Sequence, residues 1–184
     1  LAIPKEDIAV TVFAGDETAP RDNESYNAWL SCGVPESKIF LLPKEHNWWI
    51  LASGVGPCGP DSEMFIDTGK PKCCKDCNQS CSCGKYIEIG NDVYMEYVIR
   101  QKGGKLERNP QRNVDTGFGF DRLLYISNGL ESVYDTELFA PIIKKIEEIS
   151  GKYYLLNEPT KRNMRIIADH IRASVFIIGD GVEP

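Results

Sequence analysis

The stretch from Asn113 to Ile126, Asn-Val-Asp-Thr-Gly-Phe-Gly-Phe-Asp-Arg-Leu-Leu-Tyr-Ile, constrains the fold more than any other. Within it an extended segment hands over to a helical apolar pattern at Phe120, Leu123 and Leu124, with Gly117 and Gly119 at the junction. Glycine there permits backbone angles and close approaches that a Cβ blocks. The segment therefore predicts a strand end, a glycine turn and a helix start, a shape against which a flat ligand can lie. Asp115 before the glycines and Arg122 after them supply one carboxylate and one guanidinium, which suits a zwitterionic or phosphorylated ligand. The same residues also suit a plain strand-to-helix turn with a surface ion pair, so the rest of the chain has to decide.

Asp7 to Phe13 alternates apolar with small or polar residues and reads as a half-buried strand that opens a sheet. Asp22 can cap a helix carrying Tyr26, Trp29 and Leu30 and ending at Gly33. A short strand follows over Ser37 to Leu42. From His46 to Pro60 the density of Gly and Pro predicts a loop, in which one of Trp48 and Trp49 fills the core edge and the other walls a pocket. Ser62 to Asp67 and Tyr86 to Arg100 read as strands. Strict alternation in the second puts Glu88 with Gly90 and Asp92 on one face, and Asn91 with Val93 on the other. Polar groups in mid-strand point either to chemistry or to a solvated face.

Gly103-Gly104 makes a turn and Asn113 starts the returning strand. Asp135 to Gly151 has helical spacing, with Pro141 as a kink or a fresh start. The final helix carries an apolar stripe at Met164, Ile167, Ile171, Val175 and Ile178. Lys161, Arg165 and Arg172 form a basic face beside it. Strands in antiparallel succession followed by helices define an α+β fold, an antiparallel sheet with flanking helices ending in a helical segment.

Five of the seven cysteines fall between Cys73 and Cys83. Clustering of this kind favours a metal over a disulfide framework. Four thiolates about 2.3 Å from a tetrahedral Zn²⁺ make a closed structural site. Cys77, Cys81 and Cys83 are members on this reading, and either Cys73 or Cys74 completes the set.

With these pieces in order the chain resembles the catalytic domain of alanyl-tRNA synthetases, a class II aminoacyl-tRNA synthetase family. The resemblance is carried by Asn47-Trp48-Trp49, by Gly56-Pro57-Cys58-Gly59-Pro60 with Ser62-Glu63, and by Tyr86 to Met95. It continues through Val114 to Arg122, Tyr134-Asp135, Arg165 to Arg172 and Gly179 to Val182, in the same order. It implies a C-terminal part of the class II catalytic domain over 1–156, with the cysteine-rich insert 73–83, and from 157–184 the start of a helical tRNA-recognition region. The implied activity is ATP-dependent activation of alanine and its transfer to tRNA(Ala).

Site residues follow from the resemblance. Asp115 holds the alanine ammonium, Trp49 and Val93 wall the pocket, and Gly117 lets the amino acid lie close. Gly119 and Arg122 contact ATP, with Glu88 and Asn91 serving ATP and Mg²⁺. Lys161, Arg165 and Arg172 meet tRNA, and Cys73, Cys74, Cys77, Cys81 and Cys83 supply the zinc ligands. The sequence departs from the family at Gly90, where tryptophan is expected, at Asp61 in place of cysteine, and at Asp121 in place of glutamate. One extra residue lies between Trp49 and Gly56, and the first two class II motifs are absent. These departures leave a second reading, a non-catalytic paralogue that keeps the fold to bind tRNA or a protein partner.

Composition narrows the setting. A net charge of −6 gives no general attraction to nucleic acid, so any such contact must be local. No apolar run approaches the roughly 20 residues needed to span a membrane and no export signal is present, which predicts a cytoplasmic protein. The ends, Leu1 and Val-Glu-Pro, read as those of a piece excised from something longer. Oligomeric state is not legible.

Overall fold

The computed structural model describes residues 3–183. These divide into two compact units, the first ending at Phe120 and the second beginning at Asp121.

The first unit is a six-stranded sheet. Its strands are β1 (Ile8–Phe13), β2 (Ile39–Leu42), β3 (Trp48–Ile50), β4 (Gly56–Asp67), β5 (Tyr86–Ile99) and β6 (Glu107–Phe118), in the order β2-β1-β4-β5-β6, with β3 also paired to β4. All pairings are antiparallel except β1 with β2. β1 was expected to be half-buried at the start of the sheet. It instead lies between β2 and β4, and every residue from Ala9 to Phe13 is buried. Val10 and Val12 pack with Val34, Ile39, Trp29 and Met64 beneath α1 (Asn23–Ser31). Asp22 caps that helix by accepting the Ser25 N–H at 2.9 Å.

The predicted loop from His46 to Pro60 is mostly strand. β3 covers Trp48–Ile50, and β4 begins at Gly56, six residues before the expected start. Glycine and proline are tolerated here because the β4–β5 register breaks between Cys58 and Asp61. At Gly59 the backbones approach so closely that a Cβ would sit 1.8 Å from the Tyr94 carbonyl oxygen. β6 likewise begins ahead of Asn113, with Pro110 inside the irregularity where Met95 pairs with Asn113 but Tyr97 with Arg108.

The second unit holds α2 (Phe120–Ser127, its first residue belonging to the sheet unit), α3 (Ala140–Ser150) and α4 (Glu158–Gly179). Pro141 lies in the first turn of α3, so it starts the helix, and Gly151 at φ 66° ends it. The core joins Phe139, Ile143, Tyr154, Met164 and Ala168. Tyr154 and Met164, on either side of position 156, both pack in this core. On α4 the predicted stripe is only partly inward: Met164 is buried, whereas Ile167, Ile171, Val175 and Ile178 are exposed. Ala168 is buried in their place, and two arginines take over the inward face. Arg165 donates to the Tyr154 hydroxyl at 2.5 Å and lies over the Tyr134 ring. Arg172 forks onto Asp121 at 2.8 and 3.2 Å and lies over Phe139. Stacked guanidinium groups cover apolar surface while keeping their hydrogen bonds, which lets a basic face pack.

Candidate active site

Cross-strand partners share a face of the sheet, so the register of β4, β5 and β6 determines which side chains meet. One row is Asp61–Val93–Asp115 and another is Glu63–Asn91–Gly117. The two rows are two residues apart on each strand and therefore lie on the same face. Asp115 and Gly117 are exposed on edge strand β6, while Val93 is only 7% exposed beside them. The Val93–Asp115 pair thus sets an exposed carboxylate against a dry apolar neighbour.

The strict alternation expected along β5 fails at one point. Met64 pairs with Gly90 but Phe65 with Glu88, so Ile89 is an extra residue on β5. This bulge turns Glu88 to the face of Asn91 and Val93, away from Gly90 and Asp92. The Ile89 carbonyl is not idle, since it accepts the Gly119 N–H at 3.0 Å where β6 hands over to α2. Gly117 and Gly119 need no left-handed backbone. Gly117 is a regular strand residue, with nothing within 4 Å of where a Cβ would stand, so the absent side chain leaves the face beside Asp115 open.

The two tryptophans take opposite faces of β3. Trp48 packs edge-on against Phe13 and at a tilt against Tyr97, each with ring centroids 5.4 Å apart. Trp49, half-buried, pairs with Gly59, two residues before Asp61 on β4, which puts it on the Asp61 face. His46 is an exposed loop residue. Arg122 lies on α2 in the second unit.

Two members of these rows belong to a buried polar group. Asp61, 4% exposed, accepts the side-chain N–H of Asn91 at 3.1 Å and of Asn47 at 3.2 Å, and Asn47 also donates to the Thr11 hydroxyl at 2.8 Å. Burial pushes the Asp61 carboxyl above the usual carboxylate range, the two amides oppose this, and the Glu88 charge adds to it. The side-chain oxygens of Asn47 and Asn91 are buried acceptors without a donor. Asn47 stood in a quoted motif and Asp61 was noted as a departure from the family, neither with an assigned role. A polar residue inside a Gly/Pro run reads as solvated loop, and only the strand structure reveals its burial. An open cleft of about 220 Å³ lies elsewhere on this unit, among Arg21, Asp22, Glu96, Tyr97 and Arg108, and holds none of the predicted site residues.

In the connection from β4 to β5, the sulfur atoms of Cys73, Cys77 and Cys83 lie within 4.8 Å of one another, as do those of Cys73, Cys74 and Cys81.

A carboxylate, a small apolar side chain and an open glycine thus share one sheet face, next to a strand-to-helix junction. The pattern of the family described as tRNA synthetases class II (A) matches residues 1–184, and the chain belongs to that family. Among curated relatives, an alanine–tRNA ligase of Borrelia hermsii is 52% identical over 98% of this chain and 30% of that protein, and one of Treponema denticola is 51% identical over the same shares. An alanine–tRNA ligase of Rubrobacter xylanophilus is 41% identical over all of this chain and 22% of its own length. The chain therefore spans about 30% of the length of the Borrelia and Treponema relatives. No helix among the described residues is long and apolar enough to cross a membrane.

Proposed function

We propose that this chain forms part of the active site of an alanine–tRNA ligase, which activates alanine with ATP and passes it to tRNA(Ala). The observation that carries the reading is the Val93–Asp115 pair beside Asn91–Gly117 on one face, in a chain of this family. Asp115 would receive the alanine ammonium as a charge-assisted hydrogen bond against apolar Val93. Val93 and Trp49 would limit the side chain, which excludes larger amino acids better than it rejects glycine or serine. Gly117 leaves room for the backbone of the amino acid.

Activation forms a bond from an alanine carboxylate oxygen to the α-phosphorus and breaks the bond to the bridging oxygen, so pyrophosphate leaves with that electron pair. Arg122, with the backbone at Gly119, would stabilise the phosphate charge as it redistributes. A tRNA ribose hydroxyl then displaces AMP from the alanyl carbonyl. The family reading includes Mg²⁺, whose chemistry here is to neutralise phosphate charge. The donor set fits a hard cation, because Glu88 and Asn91 share a face and the Asn91 side-chain oxygen is a buried acceptor without a donor.

Lys161, Arg165 and Arg172 are the proposed tRNA-facing cations. Arg165 and Arg172 hold Tyr154 and Asp121, so phosphate contact would use the N–H groups those partners leave over. The cysteine segment enters as a structural zinc loop, and a role in protein synthesis places the protein in the cytoplasm.

The test is alanine-dependent exchange of pyrophosphate into ATP by the intact protein, with Asp115→Ala as control. Exchange that needs alanine and collapses in the variant supports the reading. A folded protein that binds tRNA but exchanges nothing refutes it in favour of a non-catalytic paralogue.

A further inference from the structure

The chain leaves the sheet at Asp67 and returns at Tyr86, and residues 68–85 contain no Val, Ile, Leu, Met, Phe, Tyr or Trp. An irregular connection of this length inside a compact unit is uncommon unless something orders it. Its neck is tied by polar contacts. Asp67 accepts Lys85 at 2.7 Å and Lys38 at 3.0 Å, and the Thr68 N–H donates to the Lys85 carbonyl at 2.8 Å. Beyond the neck the buried residues are Cys77 and Gln79, and both polar atoms of the Gln79 amide lack partners. Apolar burial does not hold this loop, and the Gln79 amide does not compensate for it.

The thiols are arranged as ligands. Sulfur atoms around a tetrahedral Zn²⁺ with Zn–S near 2.3 Å stand roughly 3.8 Å apart. Cys77 and Cys83 are 3.8 Å apart, and Cys73 and Cys74 are 3.9 Å apart, too far for disulfides. Cys73 is the member common to both three-sulfur groups, and its thiol is flanked by those of Cys77, Cys83, Cys81 and Cys74. The sequence left Cys73 and Cys74 as equal candidates, and this arrangement separates them.

We propose that Cys73, Cys77, Cys81 and Cys83 bind one Zn²⁺ as a closed four-thiolate site, with Cys74 outside it. Cys73, Cys77 and Cys83 form one of the mutually close groups. The fourth place falls to Cys81, whose sulfur lies within 4.8 Å of that of Cys73 and which closes its own turn, its N–H donating to the Asn78 carbonyl at 3.1 Å, just after the turn in which the Cys77 N–H donates to the Cys74 carbonyl at 3.3 Å. Cys74 serves the first turn through its backbone. It is exposed, whereas Cys81 is partly buried.

Each thiol releases its proton to solvent on binding, and the resulting site carries two net negative charges. Lys70, Lys72 and Lys75 offset them against the single acid Asp76 within the loop, Lys85 being paired with Asp67. With four sulfur ligands no coordination position is open, so the ion orders the loop and takes no part in catalysis. The assignment rests on reading this segment as a metal loop and is independent of the ligase reading.

Cobalt substitution in the reduced protein tests it. Co²⁺ should give the visible bands of a tetrahedral site and a sulfur-to-cobalt charge-transfer band. Single Cys→Ser changes at 73, 77, 81 and 83 should each abolish that signal, and Cys74→Ser should leave it whole. In folded zinc-loaded wild type, Cys74 should be the only thiol of the loop open to a thiol reagent, which gives a readout that no variant can confuse. The assignment is overturned if Cys74→Ser removes the signal, if Cys81→Ser keeps it, or if all five loop thiols react alike after zinc loading. Alanine-dependent exchange is scored separately, so failure of one reading does not mask failure of the other.

Discussion

The two ends of the β4–β5 pair solve the same problem, how to fix a constellation of polar side chains, by different means. At one end Asp61, Val93 and Asp115 are aligned by register, with β3 and β6 as further strands on either side. At the other end, past Asp67 and Tyr86, no strand flanks the connection and its own residues include no large apolar side chain, so Lys85 and Lys38 tie its neck and, on the zinc proposal, four thiols hold the rest. The bulge at Ile89 lies between these ends. A sheet positions side chains by backbone geometry, which tolerates an exposed carboxylate such as Asp115. A loop without a core positions them only through the groups themselves, so each group removed weakens its order.

The largest effect is expected where the sheet end depends on a single group. Asp61→Ala leaves the Asn91 amide without its acceptor, removes one of the acceptors of Asn47 and opens a buried gap, and should cost about 3 kcal/mol in a urea titration at mildly acid pH. Because burial raises the folded-state pKa of Asp61, its stabilising contribution is full below the unfolded value near 4 and is lost as pH rises through the folded value. The loss in Asp61→Ala should therefore shrink toward alkaline pH. A loss that grows with pH would contradict the assigned burial.

Next comes Asp115→Ala, which should leave stability within about 0.5 kcal/mol because the residue is exposed, while lowering alanine-dependent exchange about 100-fold. Equal damage to folding and exchange would mean that the register, not the carboxylate, had been disturbed.

At the loop end, burial raises the Asp67 carboxyl, but hydrogen bonds from Lys85, Lys38 and the Gly69 N–H outweigh this and hold it at about 2. A depressed pKa contributes stability above the unfolded value of about 4 and loses it as pH falls toward about 2. Asp67→Asn should accordingly cost about 2 kcal/mol near neutral pH and little at about pH 2, read from the pH dependence of denaturant midpoints.

The contrast between the ends also explains what could be read in advance. β1, the Asp22-capped α1 and β5 follow local patterns of period and capping, and these are legible in one sequence, whereas Pro141 read equally as a kink or a fresh start until its place in the first turn of α3 decided it. β3 and the start of β4 were hidden because Gly59 and Pro60 read as breakers, whereas a neighbouring backbone 1.8 Å from a hypothetical Cβ makes glycine necessary at position 59. The face of Glu88 was misplaced because one extra residue reverses alternation and leaves no mark in composition. On α4, apolar spacing pointed to Ile167 and Ile171, but stacked Arg165 and Arg172 occupy the inward face. Asp115 and Arg122 were visible through the glycine junction. Asp61 and Asn47 were not, since their importance lies in burial that only pairing across strands creates.

The smallest effect concerns the middle of the pair. A Cβ at Gly90 would lie 2.7 Å from the Phe118 ring and 3.0 Å from the Met64 methyl, so Phe118 occupies the space a side chain at position 90 would take. This accounts for a glycine where the family resemblance suggests tryptophan, since the row Met64–Gly90–Phe118 is already filled from its other end. Phe118 is 54% exposed and can yield outward, so Gly90→Ala should cost only about 1 kcal/mol. Phe118→Ala in the same chain should recover most of that cost, a coupling of comparable size between the two positions. If the two changes instead add independently, the ring does not fill the site, and Gly90 must be explained by the backbone of the bulge beside it. That outcome would tie the glycine to the switch that brings Glu88 onto the Asn91 face, moving it from packing to positioning.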